Sequence, residues 1–259
     1  MTRAYFTAAT CATSSFKILS IALLSNKAEI TPPQFLSNKL IIWDTTENIS
    51  FRIQKGILSK KIREKFILTK YHKSIIIGLI LSDGYIIKTQ NWNPRISLHQ
   101  SIKNIEYLWS VFNTLSVYCS SYPVLKHTIK KGKLFYSLEF QTRMLKSLNE
   151  IYKLLYIENT KIKRITPDLF HYIDYVAIAH WIMGDGAKRN KGIILCTDCF
   201  TIKEVVLLMN IILIKYNISS TIHYDNNKPR IYINNKELNK IKSDIKPFFV
   251  KSFLYKIHC

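Results

Sequence analysis

The amino-acid sequence predicts an α+β fold in which two halves of the chain repeat one order of helices and strands. The first indication is a motif that occurs twice, as Ile76–Gly84 and as Ile178–Gly186. In each copy, a run of apolar and small residues long enough for two helical turns ends in an aspartate followed by glycine. The second indication is that helix-like and strand-like segments follow both copies. Two copies in register indicate an internal duplication.

The hydrophobic pattern of the first half predicts the order α, β, β, α, β, β, α. Apolar residues at helical spacing mark the helices, and alternating or β-branched runs between polar turns mark the strands. We predict a helix at about 74–83, strands at 85–89 and 95–100, a helix at 104–115, strands at 122–129 and 134–141, and a helix at 144–155.

The second half is predicted to follow the same order. A helix at about 174–185 leads to a strand at 193–196, and the polar residues 188–191 are interpreted as a turn. We then predict a helix at about 201–216, strands at 220–224 and 230–234, and a helix at 235–245. Lysine and arginine are concentrated in and beside these strands and turns, and a sheet with basic hairpin tips can lie along a DNA groove.

The aspartates that end the two motifs, Asp83 and Asp185, are candidate metal ligands. A carboxylate at the end of an apolar helix is costly to bury unless it binds a metal or a partner charge. If the two helices pack side by side, both carboxylates emerge at the same end, which predicts a divalent-cation site. The alternative is that Asp-Gly merely ends each helix. Its occurrence twice, in register on a basic chain, favours the site.

Small residues recur at every fourth position of the first motif helix, and this pattern predicts close packing of another helix. The first stripe is Ser74, Gly78 and Ser82. The second stripe is rougher and consists of Val176, His180 and Gly184.

The composition indicates a polyanionic partner. The chain has 38 Lys and Arg against 17 Asp and Glu, a formal net charge of +21, which favours nucleic acid or an anionic membrane surface over a neutral small substrate. The apolar content of 47% is enough to form hydrophobic cores. No apolar run reaches the roughly 18 residues of a membrane span, so no transmembrane segment is predicted. We expect nucleic acid, and no membrane, as the partner.

The cysteines carry little information. The chain has 5 cysteines, and they are scattered, which argues against a secreted disulfide framework. Cys196 and Cys199 alone have metal-ligand spacing. Without a second cysteine or histidine pair at matching spacing, we interpret them as a strand end, with a zinc or redox role as the alternative.

Residues 1–65 are predicted to be an N-terminal extension. The segment Met1–Ala28 contains Arg3, Lys17 and Lys27, no acidic residue, and many Ser, Thr and Ala. That composition is typical of a mitochondrial transit segment. The alternatives are a disordered leader or a remnant of an upstream reading frame. We expect a mitochondrial location, with the chloroplast as the alternative, because the Ile, Lys, Asn and Tyr bias is typical of AT-rich organellar genomes.

From about Phe66 to its C-terminus, the chain resembles the LAGLIDADG homing endonucleases, and among them the double-motif, single-chain members encoded in organellar introns. The resemblance rests on both motif copies and on further segments, namely Phe140–Arg143, Leu195–Thr201, Lys228–Ile233, Ile245–Pro247 and Tyr255-Lys256. The sequence departs from the family pattern at His180, where glycine is usual. It also departs at Leu81 and Met183, which replace the penultimate acid of the motif.

The resemblance implies two pseudo-symmetric αββαββα halves, at 66–160 and 161–259. The motif helices would form their interface, and two antiparallel sheets would form a saddle over the DNA major groove. Asp83 and Asp185 match the catalytic aspartates and, with Gly84 and Gly186, would hold Mg²⁺. A monomer is expected because one chain supplies both halves.

The family also uses a basic residue from each half near the metals. By position, the resemblance points to Lys163 or Arg164 in one case and to Lys228 in the other. An ordinary phosphate contact or a solvated charge is the alternative role. Candidates for base readout are the strand and turn residues with suitable side chains, although most would contact phosphates: Lys88, Gln90, Arg95, His99, Gln100, Lys126, His127, Lys188, Arg189, His223 and Arg230.

Three functions follow from these observations. The first is a sequence-specific endonuclease that cuts double-stranded DNA at a long recognition site and starts intron homing. The second is a maturase that binds its host intron RNA and assists splicing. The third is a degenerate, non-catalytic nucleic-acid-binding protein, for which His180 and the irregular second stripe are the best support.

Overall fold

Residues 58–189 and 191–258 are described by the computed structural model of the protein. The predicted leader and most of the predicted N-terminal extension lie outside these residues. The described residues form helices and two four-stranded antiparallel sheets, an α+β fold as predicted. No helix within them is long and apolar enough to cross a bilayer.

A short helix precedes the first half, which contains three α-helices and one sheet. The strand order in the sheet is β1-β2-β4-β3, so both hairpin-connected pairs contribute one central and one edge strand. The elements are α1 Lys60–Glu64, α2 Lys70–Leu81, β1 Tyr85–Ile87, β2 Arg95–Ser101, α3 Ile105–Leu115, β3 Val124–Lys130, β4 Lys133–Gln141 and α4 Leu148–Leu155.

The second half repeats this arrangement. Its strand order, β5-β6-β8-β7, corresponds strand by strand to that of the first sheet. The elements are α5 Tyr175–Asp185, β5 Gly186–Arg189, β6 Gly192–Leu195, α6 Ile202–Tyr216, β7 Thr221–Asp225, β8 Lys228–Asn234, α7 Asn235–Asn239 and α8 Lys242–Ile245. The two halves are therefore pseudo-symmetric, as predicted.

The largest difference from the predicted elements is strand β5, which the sequence pattern did not identify. Residues 188–191 were predicted to be a turn, whereas Lys188 and Arg189 belong to β5 and pair with Ile193 and Gly192. The sequence Gly-Ala-Lys-Arg has low strand propensity, and its pairing with the apolar strand β6 overrides that preference. The predicted helix 235–245 is likewise divided into α7 and α8.

The two motif helices, α2 and α5, pack against each other in the centre of the molecule. Eight consecutive residues of each helix are buried, Ser74–Leu81 and Val176–Met183. Helices that are apolar on all sides belong in a core. A β-carbon added to Gly78 would lie 2.4 Å from the carbonyl oxygen of Ala177, and one added to Gly184 would lie 2.3 Å from Ser82 Oγ. The predicted small-residue stripes thus form the helix contact.

His180 is a bulky residue in the second stripe, and it is accommodated because it faces Gly78. Its Nδ1 lies 3.2 Å from the hydroxyl oxygen of Tyr107 on α3. Burial lowers the pKa of His180 to about 3, so the imidazole is neutral at physiological pH. The side chain therefore fills the interface between the halves as an uncharged, hydrogen-bonded group.

Each sheet packs one face against the helices, and its other face points away from them. Residues that are paired across strands lie on the same face, and successive residues alternate between faces. In the first sheet, Ile96, Leu98 and Phe140 face the helices and are buried. We call the opposite side the polar face. It carries Tyr85, Ser97, His99, Lys126, Glu139 and Gln141 in the first sheet and His223, Arg230 and Tyr232 in the second.

Candidate functional site

The structure brings Asp83 and Asp185 to the same end of the central helix pair. Asp185 is the last residue of α5, and Asp83 follows α2 by two positions. The backbone N–H of Gly84 donates to the Leu79 carbonyl at 2.7 Å and closes the end of α2. A β-carbon on Gly184 would lie 3.5 Å from Asp83 Oδ2, so the Asp83 carboxylate lies against the residue that precedes Asp185.

The two carboxylates act on each other electrostatically. The pKa of Asp185 is raised to about 7, first because the group is buried and second because of the negative charge of Asp83. The positive charges of Lys163 and Lys256 oppose this rise without cancelling it. A pair of like charges held together in this way is stabilised by a cation.

Two lysines bind the C-terminal carbonyl groups of the central helices. Lys163 Nζ donates to the carbonyl oxygens of Ile80 at 2.6 Å and Ser82 at 2.8 Å. Lys256 Nζ donates to the carbonyl oxygens of Met183 at 2.5 Å and Gly184 at 3.3 Å. Their positive charges also complement the negative ends of the helix dipoles.

The environment of these two lysines is similar. Burial lowers the pKa of Lys163 and of Lys256, and the charges of Asp83 and Asp185 raise it in both cases. Lys163 therefore binds the end of α2 as Lys256 binds the end of α5. Each places a cation beside the carboxylate pair.

Gln100 contacts the Asp83 carboxylate, although the sequence predicted it to read bases. It lies on the helix-facing side of β2 and is buried. Its Nε2 donates to Asp83 Oδ2 at 2.6 Å, and its Oε1 accepts from Asn104 Nδ2 at 2.9 Å. The alternation of side chains along β2 is the reason, since Gln100 shares the face of Leu98 rather than that of His99.

The two other predicted basic residues, Arg164 and Lys228, have interactions of their own. Arg164 Nη2 donates to the Lys153 carbonyl at 2.6 Å. Lys228 is exposed at the start of β8, where its charge acts on Asp198. Lys256 was not predicted to be a site residue, although it belongs to the Tyr255-Lys256 segment of the family resemblance. It lies far from either motif along the chain, so no local pattern indicated its role.

The remaining base-readout candidates fall on several surfaces. Lys88 and Gln90 lie in the β1–β2 connection, where Lys88 Nζ donates to the Trp92 carbonyl at 2.5 Å. Lys188 and Arg189 lie on the edge strand β5, and His127 lies on the helix-facing side of β3, where it is exposed. The candidates at polar-face positions are Arg95, His99, Lys126, Arg189, His223 and Arg230.

The guanidinium of Arg230 is held by two carboxylates. Its Nε and Nη2 donate to the two oxygens of Asp198 at 2.8 Å and 2.9 Å, and its Nη1 donates to Asp225 Oδ2 at 2.5 Å. A bidentate pair of this kind fixes the plane of the guanidinium. Arg230 is therefore fixed in orientation on the polar face of the second sheet.

The cysteine pair lies beside the second aspartate. The backbone N–H of Cys196 donates to the Asp185 carbonyl at 3.2 Å, and both Cys196 and Cys199 have free thiols. Among the residues that the structure describes, no group of three or more His, Cys, Asp and Glu side chains is placed to hold a metal ion. The carboxylate pair is therefore the candidate cation site.

Comparison with known proteins identifies the class. Residues 73–241 match the LAGLIDADG DNA endonuclease family, and the chain therefore belongs to that family. A solved structure with the same architecture is that of the homing endonuclease I-WcaI bound to its DNA recognition sequence. It superposes with a TM-score of 0.72 at 29% identity, covering 81% of this chain and 97% of that one.

Two curated relatives have similar sequences. "Probable intron-encoded endonuclease 1" of Wickerhamomyces canadensis is 32% identical over 73% of this chain and 85% of its own length. "Cytochrome b mRNA maturase bI2" of Saccharomyces cerevisiae is 35% identical over 71% of this chain. The chain matches 46% of the length of that maturase.

Proposed function

We propose that the protein is a sequence-specific endonuclease that cuts both strands of DNA at a long site and starts intron homing. The observation that carries the proposal is the convergence of Asp83 and Asp185 at one end of the helix pair, each with a lysine bound to the same helix end. Each half supplies one carboxylate, which is suited to act on one of the two DNA strands. The intron-encoded endonuclease relative and the DNA-bound I-WcaI structure support the same activity.

The carboxylate pair fits a divalent cation, and we infer Mg²⁺. Magnesium is commonly held by one or two carboxylates, with water and substrate phosphate oxygens as the other ligands. Asp83 and Asp185 would hold it, next to the backbone of Gly84 and Gly186. When bound, such a cation lowers the pKa of an attacking water and stabilises the charge on the scissile phosphate.

The residues around the carboxylates have separate roles in this proposal. Gln100 orients the Asp83 carboxylate through its hydrogen bond to Oδ2. Lys163 and Lys256 place positive charge where a phosphate would approach, and they hold the helix ends that carry the aspartates. Arg164 and Lys228 remain predictions as basic catalytic residues near the metals, with an ordinary phosphate contact or a solvated charge as the alternative.

The polar faces of the two sheets form the DNA-binding surface in this proposal. They carry Arg95, His99, Lys126, His223 and Arg230 on a chain of net charge +21. Such a surface can neutralise phosphates, and its Lys, Arg and His side chains can reach base edges in the major groove. We propose domain limits of 66–160 and 161–259, with a single chain sufficient for one double-strand cut.

We infer that the protein acts in an organelle, and the mitochondrion is the compartment that we propose. The support is the intron-encoded relative, the cytochrome b intron maturase relative and the codon-biased composition. The chloroplast is the alternative. The location of a fluorescent fusion of the full chain would decide between them.

A second candidate function is assistance to the splicing of the host intron RNA. The observation that favours it is the 35% identity to a protein named as a maturase. The two functions use separate chemistry, since splicing assistance needs the basic surface and not the carboxylates. Splicing of the host intron by the Asp83→Asn variant would therefore separate them.

The test of the endonuclease is cleavage of an intronless organellar DNA library in the presence of Mg²⁺. We expect double-strand breaks at one long site, and nicks or no cleavage from Asp83→Asn and Asp185→Asn. Asp168→Asn, at an exposed position, is the matched control and should cleave like the wild type. Binding in Ca²⁺ without cleavage in Mg²⁺ would contradict the proposal and leave the degenerate DNA-binding protein.

A further inference from the structure

Glu139 is an acidic residue in the middle of a face that the proposed function assigns to a polyanion. It lies on the central strand β4, and only 8% of its side chain is exposed. Its Oε1 accepts hydrogen bonds from Ser97 Oγ at 2.6 Å, Gln141 Nε2 at 2.9 Å and the Tyr85 hydroxyl at 3.2 Å. Its Oε2 forms an ion pair with Lys126 Nζ.

These partners come from every strand of the first sheet. Tyr85 lies on β1, Ser97 on β2, Lys126 on β3 and Gln141 on β4. The carboxylate therefore links all four strands on the polar face. Burial raises the pKa of Glu139, but the hydrogen bonds from Lys126, Ser97 and Gln141 favour the ionised carboxylate and together lower the pKa to about 2.

The carboxylate is covered by the groups that it binds, and two of them, Tyr85 and Lys126, are exposed at the surface. The Lys126 side chain is 52% exposed, compared with 8% for Glu139. DNA approaching this face would therefore meet Lys126 before it meets the carboxylate. The negative charge is shielded, whereas the ammonium retains donor hydrogens that point away from Glu139.

Fixing these donors before binding has a direct consequence for sequence selection. A free lysine side chain has many rotamers, and ordering it on binding reduces affinity. A lysine can donate to O6 and N7 of guanine, and a glutamine can pair with N6 and N7 of adenine. Donors whose positions are fixed discriminate between base edges better than donors that can move to any acceptor.

The second sheet has a different arrangement, so the two faces are not chemically equivalent. There a cation, Arg230, is held by the carboxylates of Asp198 and Asp225. In the first sheet, an anion is surrounded by donors. An effect of Glu139 should therefore be confined to the part of the DNA site that the first sheet covers.

We propose that Glu139 is a positioning residue for sequence readout, which holds Lys126 and Gln141 in the orientation in which they select bases under the first sheet. The inference rests on the proposed DNA-binding function, and it adds a residue whose acidic character would exclude it from a search for DNA contacts. Glu139 acts through its neighbours and needs no contact with DNA itself.

The test is selection of bound duplexes from a fully randomised DNA library in Ca²⁺, with the full-length wild type, Glu139→Gln and Lys126→Met. For Glu139→Gln, we expect enrichment of the preferred base to fall about tenfold at a short block of adjacent positions in one half of the site, which corresponds to about 1.4 kcal/mol. Lys126→Met should affect positions within the same block. The other half of the site should keep its preferences.

The matched control is Glu150→Gln, which removes a partly exposed carboxylate paired with Lys73 on the helical side of the first half. It should leave every base preference unchanged. Melting temperatures of all variants show whether the fold is intact, and Lys126→Met tests the block independently should Glu139→Gln fail to fold.

Three outcomes would overturn the inference and leave the proposed function in place. Unchanged preferences in folded Glu139→Gln would assign Glu139 a purely structural role, and a uniform loss across both halves would assign it a general electrostatic role. If Glu139→Gln changed base preferences in the half of the DNA site that Lys126→Met leaves unchanged, Glu139 would not act by positioning Lys126. Absence of any preference in the wild type would instead overturn the proposed function, and the inference with it.

Discussion

Gly78 and His180 lie against each other across the central helix pair, so closely that a β-carbon on Gly78 would come within 2.7 Å of the His180 β-carbon. The same β-carbon would lie 2.4 Å from the Ala177 carbonyl oxygen, which belongs to the backbone and cannot rotate away. The space that glycine leaves at one helix is therefore used by a large side chain at the other. Substitutions at this contact should affect both halves of the molecule at once.

Gly78→Ala should destabilise the protein, although alanine favours helix formation. The clash requires the helices to separate, and overpacking of this kind costs about 1–3 kcal/mol, against about 1 kcal/mol gained in helix propensity. The free energy of unfolding in urea measures the difference. Ser110→Ala, at an exposed position of α3, is the control and should be neutral or stabilising. Equal stability of Gly78→Ala and wild type would contradict the packing described here.

The buried His180 should make the protein less stable in mild acid. Its pKa is about 3 in the folded protein against 6.5 ordinarily, so below pH 6.5 the unfolded chain binds a proton that the folded chain does not. The contribution of neutral His180 to the free energy of unfolding is complete above pH 6.5 and is lost as the pH falls towards 3. In that window the slope approaches about 1.4 kcal/mol per pH unit.

His180→Phe removes this proton-binding group, and the test is the difference in unfolding free energy between variant and wild type as a function of pH. As the pH falls below 6.5, the unfolding free energy of the variant should rise relative to that of the wild type. His171→Phe, at an exposed position, is the control and should show no such trend. A difference that is independent of pH would show that His180 does not remain neutral in the folded protein.

Asp185→Asn should stabilise the protein in the absence of a divalent cation. The folded-state pKa of Asp185 is raised to about 7, so the ionised carboxylate is unfavourable above that pH, and the penalty disappears as the pH falls and the group is protonated. With solvent screening, we expect a gain on the order of 1 kcal/mol in mildly alkaline buffer. Thermal unfolding with and without Mg²⁺ provides the measurement.

Mg²⁺ should raise the melting temperature of the wild type more than that of Asp185→Asn, because it relieves the repulsion that the variant has already lost. Asp168→Asn should respond to Mg²⁺ like the wild type. An Asp185→Asn variant that is less stable than the wild type at every pH would contradict the repulsion between the two carboxylates.

Lys256→Met should reduce DNA cleavage more than Lys228→Met. Lys256 acts on both carboxylates, whereas Lys228 is exposed at the start of β8. Removal of one preorganised charge at a phosphoryl site costs on the order of 10² in rate. The measurement is the single-turnover cleavage rate together with binding in Ca²⁺. Similar cleavage rates for the two variants would contradict the assignment of the second basic role to Lys256 in preference to Lys228.

The sequence predicted the repeated order of elements and the role of the small-residue stripe because both depend on local patterns. The motif helices are long and strongly apolar, and their aspartates mark their ends without further information. Strand β5 was missed because its formation depends on β6, a partner that local propensity does not register. The predicted α+β class, the family and the pseudo-symmetry of the halves are confirmed.

The composition of the candidate site was harder to predict than its location. Gln100 was assigned to base readout because its residue type suits adenine, but one position of strand alternation turns it towards Asp83. Lys256 lies near the C-terminus, and only the folded chain brings it to Met183 and Gly184. Glu139 was not considered because an acidic residue is an improbable feature of a DNA-binding face until its partners are known.

The close contact between α2 and α5 also separates two properties that an endonuclease must control. In the proposed reaction, the offset between the cuts on the two DNA strands is set by the packed helix pair that carries the two aspartates. The choice of sequence is made by side chains on the sheets. The side chains that select the sequence can therefore change without altering the offset between the two cuts. A lineage of such proteins could move to new target sites while the geometry of its DNA ends stayed constant.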